Sequence, residues 1–306
     1  MGTHLVTRSL LGTARAPEMV LRRHVSAAPS AVREALVDPE RRSRWLGDVE
    51  GDPSGPGDSF ELRLGDDASD AAVGRLLMLE ADHLALAWSW QGERDSMIHA
   101  RVRPDGEGAA IWLRHTLTEP DHVEGYGGGW EQLLQALARE LGCEAAEAAD
   151  DAAIETAAAE RWHLMTERPL EVVRDLPVPA ERVWEAFTSS EGLGSWWWKH
   201  WEDVTVSLDT ENGSYRIDAP RIGTSIRGQR LVAEQPSRLA ATWVWADQDG
   251  TAVDEAIDLH LTAGGDGAGT RLTLRHTGPW AEDSLPENYR QGWDASLDQL
   301  SEVLRG

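Results

Sequence analysis

The sequence predicts an α+β chain of two tandem domains, each a curved antiparallel sheet wrapped around a long C-terminal helix. Three observations carry this. The chain has 306 residues, about twice the length of an ordinary domain. Five blocks of sequence occur twice, in the same order. Each copy ends in an amphipathic helical stripe that follows a series of alternating strands.

The blocks define the copies. Val32-Arg33-Glu34-Ala35-Leu36, followed by Trp45, matches Val183-Trp184-Glu185-Ala186-Phe187, followed by Trp196. Leu84 before Trp88-Ser89-Trp90 matches Leu239 before Trp243-Val244-Trp245. Leu113-Arg114-His115-Thr116 recurs as Leu274-Arg275-His276-Thr277, and Tyr126, Gly129 and Trp130 recur as Tyr289, Gly292 and Trp293. Two homologous domains follow, 18–142 and 167–306, after an N-terminal extension, 1–17. The join, 143–166, is rich in Ala and Glu without Gly or Pro after Cys143, so a helical linker is expected.

The second copy shows the elements in order. Leu170–Leu176 reads as a strand stopped by Pro177 and Pro179. Val183 to Phe187 starts a helix, and a short helical turn spans Glu191 to Trp198. Val204, Val206 and Leu208 alternate with polar residues, Asn212-Gly213 signals a type I′ hairpin, and Tyr215 and Ile217 alternate on the return. Further alternating runs lie at 225–234, 238–246, 253–262 and 270–277, with a hairpin loop at Gly264–Gly269. Ser284 and Glu287 have capping-box spacing. Trp293, Leu297, Leu300 and Leu304 then form one apolar stripe, as Trp130, Leu134, Leu137 and Leu141 do in copy one. A sheet closed over one helix can leave a cavity between them.

Composition narrows the function classes. The formal net charge is −24, which disfavours nucleic acid and anionic membrane as partners. The single cysteine, Cys143, permits no intrachain disulfide, so a cytoplasmic location is expected. No apolar run reaches the ~20 residues of a membrane span, and no membrane insertion is expected. The first residues do not read as a signal peptide.

Taken together, Val183 to Phe187, Trp196-Trp197, Arg238-Leu239, Trp243 to Trp245, Gly269 to Gly278 and Gly292-Trp293 resemble the SRPBCC (START-like) superfamily. Within it they are similar to the group related to the C-terminal domain of the activator of the ninety-kilodalton heat-shock chaperone ATPase. The resemblance implies a helix-grip fold that binds an apolar or amphipathic small molecule, or a protein partner. Copy one departs from it at Val49 to Gly57 and has Trp45-Leu46-Gly47-Asp48 in place of the Trp-rich stretch, so its cavity is expected to be altered or closed. Binding is therefore expected mainly in domain 2.

Strand parity selects the candidate site. His276 points with Leu272 and Leu274, and His115 with Ile111 and Leu113, toward the helix. Either is a base or ligand contact, or a core histidine with its own partners. Trp243 and Trp245 share a face with Leu239 and Ala241, and Trp88 and Trp90 repeat this, as cavity wall or as plain core. Trp130 and Trp293 face them from the helices. Trp196-Trp197-Trp198-Lys199-His200-Trp201 is expected to leave an exposed aromatic patch, or to cover the sheet edge or the interface with copy one. Glu255 shares the parity of Val253, Ile257, Leu259 and Leu261, and with His276 forms the one candidate acid–base pair for a cyclase- or hydrolase-like reading. Asp258 and His260 fall on the outer face and can pair there. Tyr126 to Trp130 is no phosphate loop, since no Lys or Ser/Thr follows, and reads as a flexible lead into the helix. No metal site and no cofactor are expected. Non-enzymatic small-molecule binding leads, with catalysis and a protein-protein role as the alternatives.

Overall fold

The computed structural model describes residues 6–51, 53–63, 71–90, 92–143, 150–264 and 269–306. The chain forms two compact units that divide between His163 and Leu164, and Ser9–Leu11 cluster with the second.

The first unit begins with β1 (Val6–Thr13) and β2 (Ala16–Val25), then α1 (Pro29–Val37) and α2 (Pro39–Ser43). Strands β3 (Asp48–Glu50), β4 (Ser59–Arg63), β5 (Ala71–Leu79), β6 (His83–Trp90), β7 (Ser96–Asp105) and β8 (Gly108–Thr116) follow. Helices α3 (Val123–Glu140) and α4 (Asp151–Glu167) end the series. The sheet runs β1-β2-β8-β7-β6-β5-β4-β3. Leu113 and His115 alternate inward with Ile98 and Met19 on neighbouring strands, so one face is a closed apolar surface. Helix α3 lays Trp130, Leu134 and Leu137 on that face, and Arg23 on β2 donates to Gln135 on the helix (2.8 Å).

The second unit repeats the plan. It has β9 (Leu170–Leu176), α5 (Ala180–Thr188) and α6 (Ser190–Trp196). Strands β10 (Thr205–Leu208), β11 (Ser214–Ala219), β12 (Thr224–Glu234), β13 (Arg238–Asp247), β14 (Gly250–Ala263) and β15 (Thr270–Thr277) precede α7 (Ser284–Arg305). The sheet runs β10-β11-β12-β13-β14-β15-β9, and α7 buries Trp293, Leu297, Leu300 and Leu304 against it. Both units are helix-grip folds. Among the described residues no helix is long and apolar enough to cross a membrane.

Local chemistry corrects several expectations. Residues 6–13, inside the N-terminal extension, form a strand, because Thr13 Oγ1 accepts the Arg15 and Ala16 amides and turns the chain into a β1–β2 hairpin. Gly12 there holds φ +76°, and a side chain on it would overlap the Ala16 carbonyl. In the second unit the turn at Asn212-Gly213 is not a two-residue type I′ turn. Only Gly213 has a left-handed φ; Asp209 accepts the Glu211 and Asn212 amides, and strand pairing resumes at Leu208 and Tyr215. Ser284 makes no cap: Asp283 is the N-cap residue, and the Ser284 hydroxyl turns to Glu282. The Gly264–Gly269 loop lies mostly outside the described residues.

The glycine-rich stretch before Trp130 is no flexible lead. It is the start of α3, with Gly127 and Gly128 buried. Trp162 of α4 packs against it and is fully buried, and its indole donates to Glu131 (2.9 Å), which also pairs with Arg8 (2.6 Å). A Cβ on Gly127 would overlap the Trp162 ring, whereas a Cβ on Gly129 meets open space.

These two glycines make a paired test. Gly127→Ala is expected to destabilise the first unit by about 1–3 kcal/mol through overpacking. Gly129→Ala is expected to stabilise it by roughly 0.5–1 kcal/mol, the ordinary helix gain. Urea unfolding of both variants checks the sign.

Candidate functional site

In each unit the terminal helix is tied to the last strand by one buried hydrogen bond. Trp130 Nε1 donates to His115 Nδ1 (3.0 Å), and Trp293 Nε1 donates to His276 Nδ1 (3.2 Å). An indole can only donate, so each Nδ1 is an unprotonated acceptor. A neutral ring then carries its proton on Nε2.

The two units treat that proton differently. Ser96 and Glu255 occupy the same place, since Ser96 pairs opposite Trp88 and Glu255 opposite Trp243. His115 Nε2 meets Ser96 Oγ (2.7 Å), and Ser96 donates onward to the Trp88 carbonyl (2.8 Å), so the chain of donors closes without charge. Burial pushes the His115 ring down to about 3. His276 Nε2 instead faces Glu255 Oε2 at 3.7 Å and makes no hydrogen bond. The Glu255 oxygens are taken by Trp280 Nε1 (2.7 Å) and Tyr289 Oη (2.7 Å). Burial, then Glu255, push the Tyr289 phenol above its ordinary range. Trp280, Tyr289 and Ser96 were not legible as site residues, although Tyr289 is a repeat position.

Glu255 reaches the interior by a bulge. Trp243 pairs with Glu255 but Trp245 pairs with Ala252, and Asp254 between them sits at φ +64°. Val253 and Glu255 are thus separated by an irregular residue and do not share a simple alternation. On the other face Asp258 is buried and accepts from Nε and Nη2 of Arg238 (3.0 and 2.8 Å), with His260 at 3.2 Å.

Each unit holds a partly open cavity. The larger, about 110 Å³, is in the first unit, bounded by Trp45, Leu46, Phe60, Trp88, Trp130 and Leu134 among others. The second unit holds about 60 Å³ beside Phe187, Trp197, Trp243 and Trp293. Copy one's cavity is thus not closed, and the larger space lies outside domain 2, where binding was mainly expected. The reason is side-chain volume. Trp45 and Trp196 are equivalent, each donating its indole to a carbonyl of the preceding helix, Ala35 (2.9 Å) and Ala186 (3.0 Å). The next residue is Leu46 in one unit and Trp197 in the other. Trp197 packs on Trp243 (5.8 Å between ring centroids) and Trp293 (5.3 Å) and fills the interior. Leu36 against Phe187 adds to the difference.

Of the tryptophans and histidines singled out from sequence, Trp88, Trp130, Trp197, Trp243 and Trp293 line the cavities. Trp90, Trp196, Trp245, His115 and His276 do not. The stretch from Trp196 forms no exposed patch. Trp196 and Trp197 are buried, and Trp198 and Trp201 are half-buried. Trp198 adopts φ +50°, where copy one has Gly47, and this turns its ring onto Trp201 (5.2 Å) and Trp245 (5.8 Å). Among the described residues no group of three or more His, Cys, Asp or Glu is placed to hold a metal ion.

The family model described as Activator of Hsp90 ATPase homolog 1-like protein, AHSA1, matches the chain twice, over residues 26–142 and 177–305. No curated protein is similar enough to count as a match. Solved structures similar to this chain include CalU16 from Micromonospora echinospora, at 24% identity and a TM-score of 0.45, covering 53% of this chain and 99% of that one. DynU16, a protein of the dynemicin biosynthetic locus, is 16% identical with a TM-score of 0.38, covering 94% of this chain and 98% of that one. The AHSA1 protein from Silicibacter pomeroyi is 20% identical with a TM-score of 0.37, covering 45% and 98%.

The His115 network has a pH signature. Its folded value of about 3 lies below the ordinary ~6.5, so the unfolded chain binds a proton that the folded chain refuses. The contribution is complete above about pH 6.5 and is lost as pH falls toward 3, by up to about 1.4 kcal/mol per pH unit. Urea midpoints measured across this window are expected to fall less steeply for His115→Phe than for the wild type.

Proposed function

The chain belongs to the family of activator of Hsp90 ATPase homolog 1-like proteins, and from that premise we propose that it is a non-enzymatic binding protein for an apolar or amphipathic small molecule. The bound molecule sits between the sheet and α3 of the first domain, against Trp88 and Trp130. One observation carries this reading: an apolar cavity of about 110 Å³ kept open by Leu46, where the second copy has Trp197. An engineered apolar cavity of ~150 Å³ stays dry and accepts benzene, so this one suits a single ring or a short alkyl chain.

Catalysis has weaker support. His276 and Glu255 do approach each other, at 3.7 Å. Neither borders a cavity, and a general base must reach the proton that it abstracts. The Glu255 oxygens are occupied by Trp280 and Tyr289, which suits a structural role. A protein-protein role has no exposed aromatic patch among the described residues to support it.

Native mass spectrometry of the purified chain, before and after denaturation, tests the reading together with Trp fluorescence on addition of benzene or short alkanols. Binding is expected in the wild type and is expected to be lost in Leu46→Trp. Trp197→Leu is expected to open a second site at a stability cost of about 2–4 kcal/mol. Unchanged binding in Leu46→Trp would place the ligand elsewhere.

A further inference from the structure

The outer faces of the two sheets carry different charge, and strand pairing aligns them residue by residue. His83 stands opposite Arg101 as Arg238 stands opposite His260, and Ile98 opposite His115 as Ile257 opposite His276. His99 thus takes the place of Asp258, Arg103 that of Thr262, and His24 that of Asp175. In copy two each arginine of this face stands against an acid. Arg238 pairs with Asp258 (2.8 Å) and Arg271 with Asp175 (2.9 Å), and Arg275 lies opposite Glu171.

Copy one lacks that balance. Where copy two has the Arg238–Asp258 ion pair, His83 Nε2 and His99 Nδ1 share a hydrogen bond (2.9 Å). Burial, then Arg101, holds the His83 ring below its ordinary range; burial, then His83 and Arg114, does the same to His99. The pair therefore supplies no negative charge. The acids on these strands are already used, Glu18 by Arg114 (2.6 Å) and Asp105 by Arg22. Arg101 and Arg103 are exposed on β7 and form no ion pair among the described residues; Arg101 reaches only His83 Nδ1, at 3.5 Å. Glu80 and Asp82, which act on His83 from the turn before β6, pair with neither. Arg75, exposed on β5 of the same face, is also without an acid. A chain of net charge −24 thus holds a local basic face on its first sheet.

We propose that this face is a docking surface for an acidic protein segment, which lies extended along β7 with its carboxylates on Arg101 and Arg103. The surface is on the side of the sheet away from the cavity, so it stands apart from the binding role proposed above. Arg101 and Arg103 are two residues apart on one strand, and their side chains leave the same face about 6.8 Å apart. Carboxylates at alternate positions of an extended segment have the same spacing. A guanidinium offers paired donors that match each of them. Met97 is an exposed apolar side chain on this face, a contact that a peptide side chain can use and a phosphate backbone cannot. The overall charge of −24 repels a long polyanion that extends beyond the face. A short segment stays within the screening length of about 8–10 Å, where the arginines dominate.

The test uses the full chain at pH 7 and fluorescence anisotropy of labelled probes: a capped eight-residue peptide of alternating Glu and Val, and a single-stranded DNA pentanucleotide of equal charge. The peptide is expected to bind, and to bind on the order of tenfold more weakly as salt rises from about 50 to about 500 mM. Arg101→Gln with Arg103→Thr is expected to weaken it on the order of tenfold, with an unchanged urea midpoint because both side chains are exposed. Arg101→Lys with Arg103→Lys is expected to keep most of the affinity. Arg221→Gln with Arg305→Gln removes two exposed cations of the second domain and is expected to change nothing. No binding of the peptide overturns the proposal. Binding of the pentanucleotide as tight as that of the peptide overturns the protein segment as the occupant. Equal weakening in the two variants that remove charge overturns the assignment to this face, and equal weakening in the lysine variant overturns the role of charge.

Discussion

The rest of each domain depends on one buried hydrogen bond, from the indole of the terminal helix to Nδ1 of a histidine on the last strand. A helix laid on an apolar sheet can slide and rotate at little cost, because the hydrophobic effect has no direction. A single donor and a single acceptor inside that interface set the register. They also set the tautomer, and the tautomer dictates what must stand on the far side of the imidazole. Ser96 answers that demand in the first domain with a neutral relay to the Trp88 carbonyl. The second domain answers with Glu255, which then requires Trp280 and Tyr289 around it. The bulge at Asp254 belongs to the same solution, since it lets the strand run past Glu255 while keeping that side chain inward.

With the helix fixed, the volume beneath it is decided by a few side chains carried on the short helices. Trp197 and Phe187 occupy the interior of the second domain; Leu46 and Leu36 leave it open in the first. Packing in a protein interior is dense, so a change from indole to isobutyl cannot pass unnoticed. The two copies differ in this way: one spends its aromatic surface on a filled core, and the other retains space. A left-handed Trp198 in the filled copy, where the open copy has Gly47, marks the backbone strain accepted for that aromatic packing.

The helix after the first domain has its own constraint. Trp162 covers the start of α3, and glycine is required beneath it because the ring occupies the space of a Cβ. The same indole reaches Glu131, which Arg8 also holds. Three distant parts of the chain thus meet at one buried carboxylate, so the start of the first unit and its last helix are tied to the same point.

The sequence by itself determined the repeat, the order of elements and the inward parity of His115 and His276, because period-2 and period-3.6 patterns are local and appear twice. It also carried the family resemblance. It did not reveal Glu255 as the counterpart of Ser96, since the bulge at Asp254 breaks the alternation on which parity rests. Trp280 was hidden because it lies between β15 and α7 and its partner is a carboxylate 25 residues earlier, on β14. The glycines before Trp130 read as loop because glycine is a poor helix former, and only the ring of Trp162 supplies their reason. Which copy keeps a cavity was also beyond reach. Degraded motifs suggested an altered or closed cavity without saying which, because cavity volume is a sum over side chains that meet only in the folded state, and the smaller residues lay in the copy that departs further from the family pattern. Tertiary structure alone decided the site, because packing, unlike periodicity, is not written at any one position.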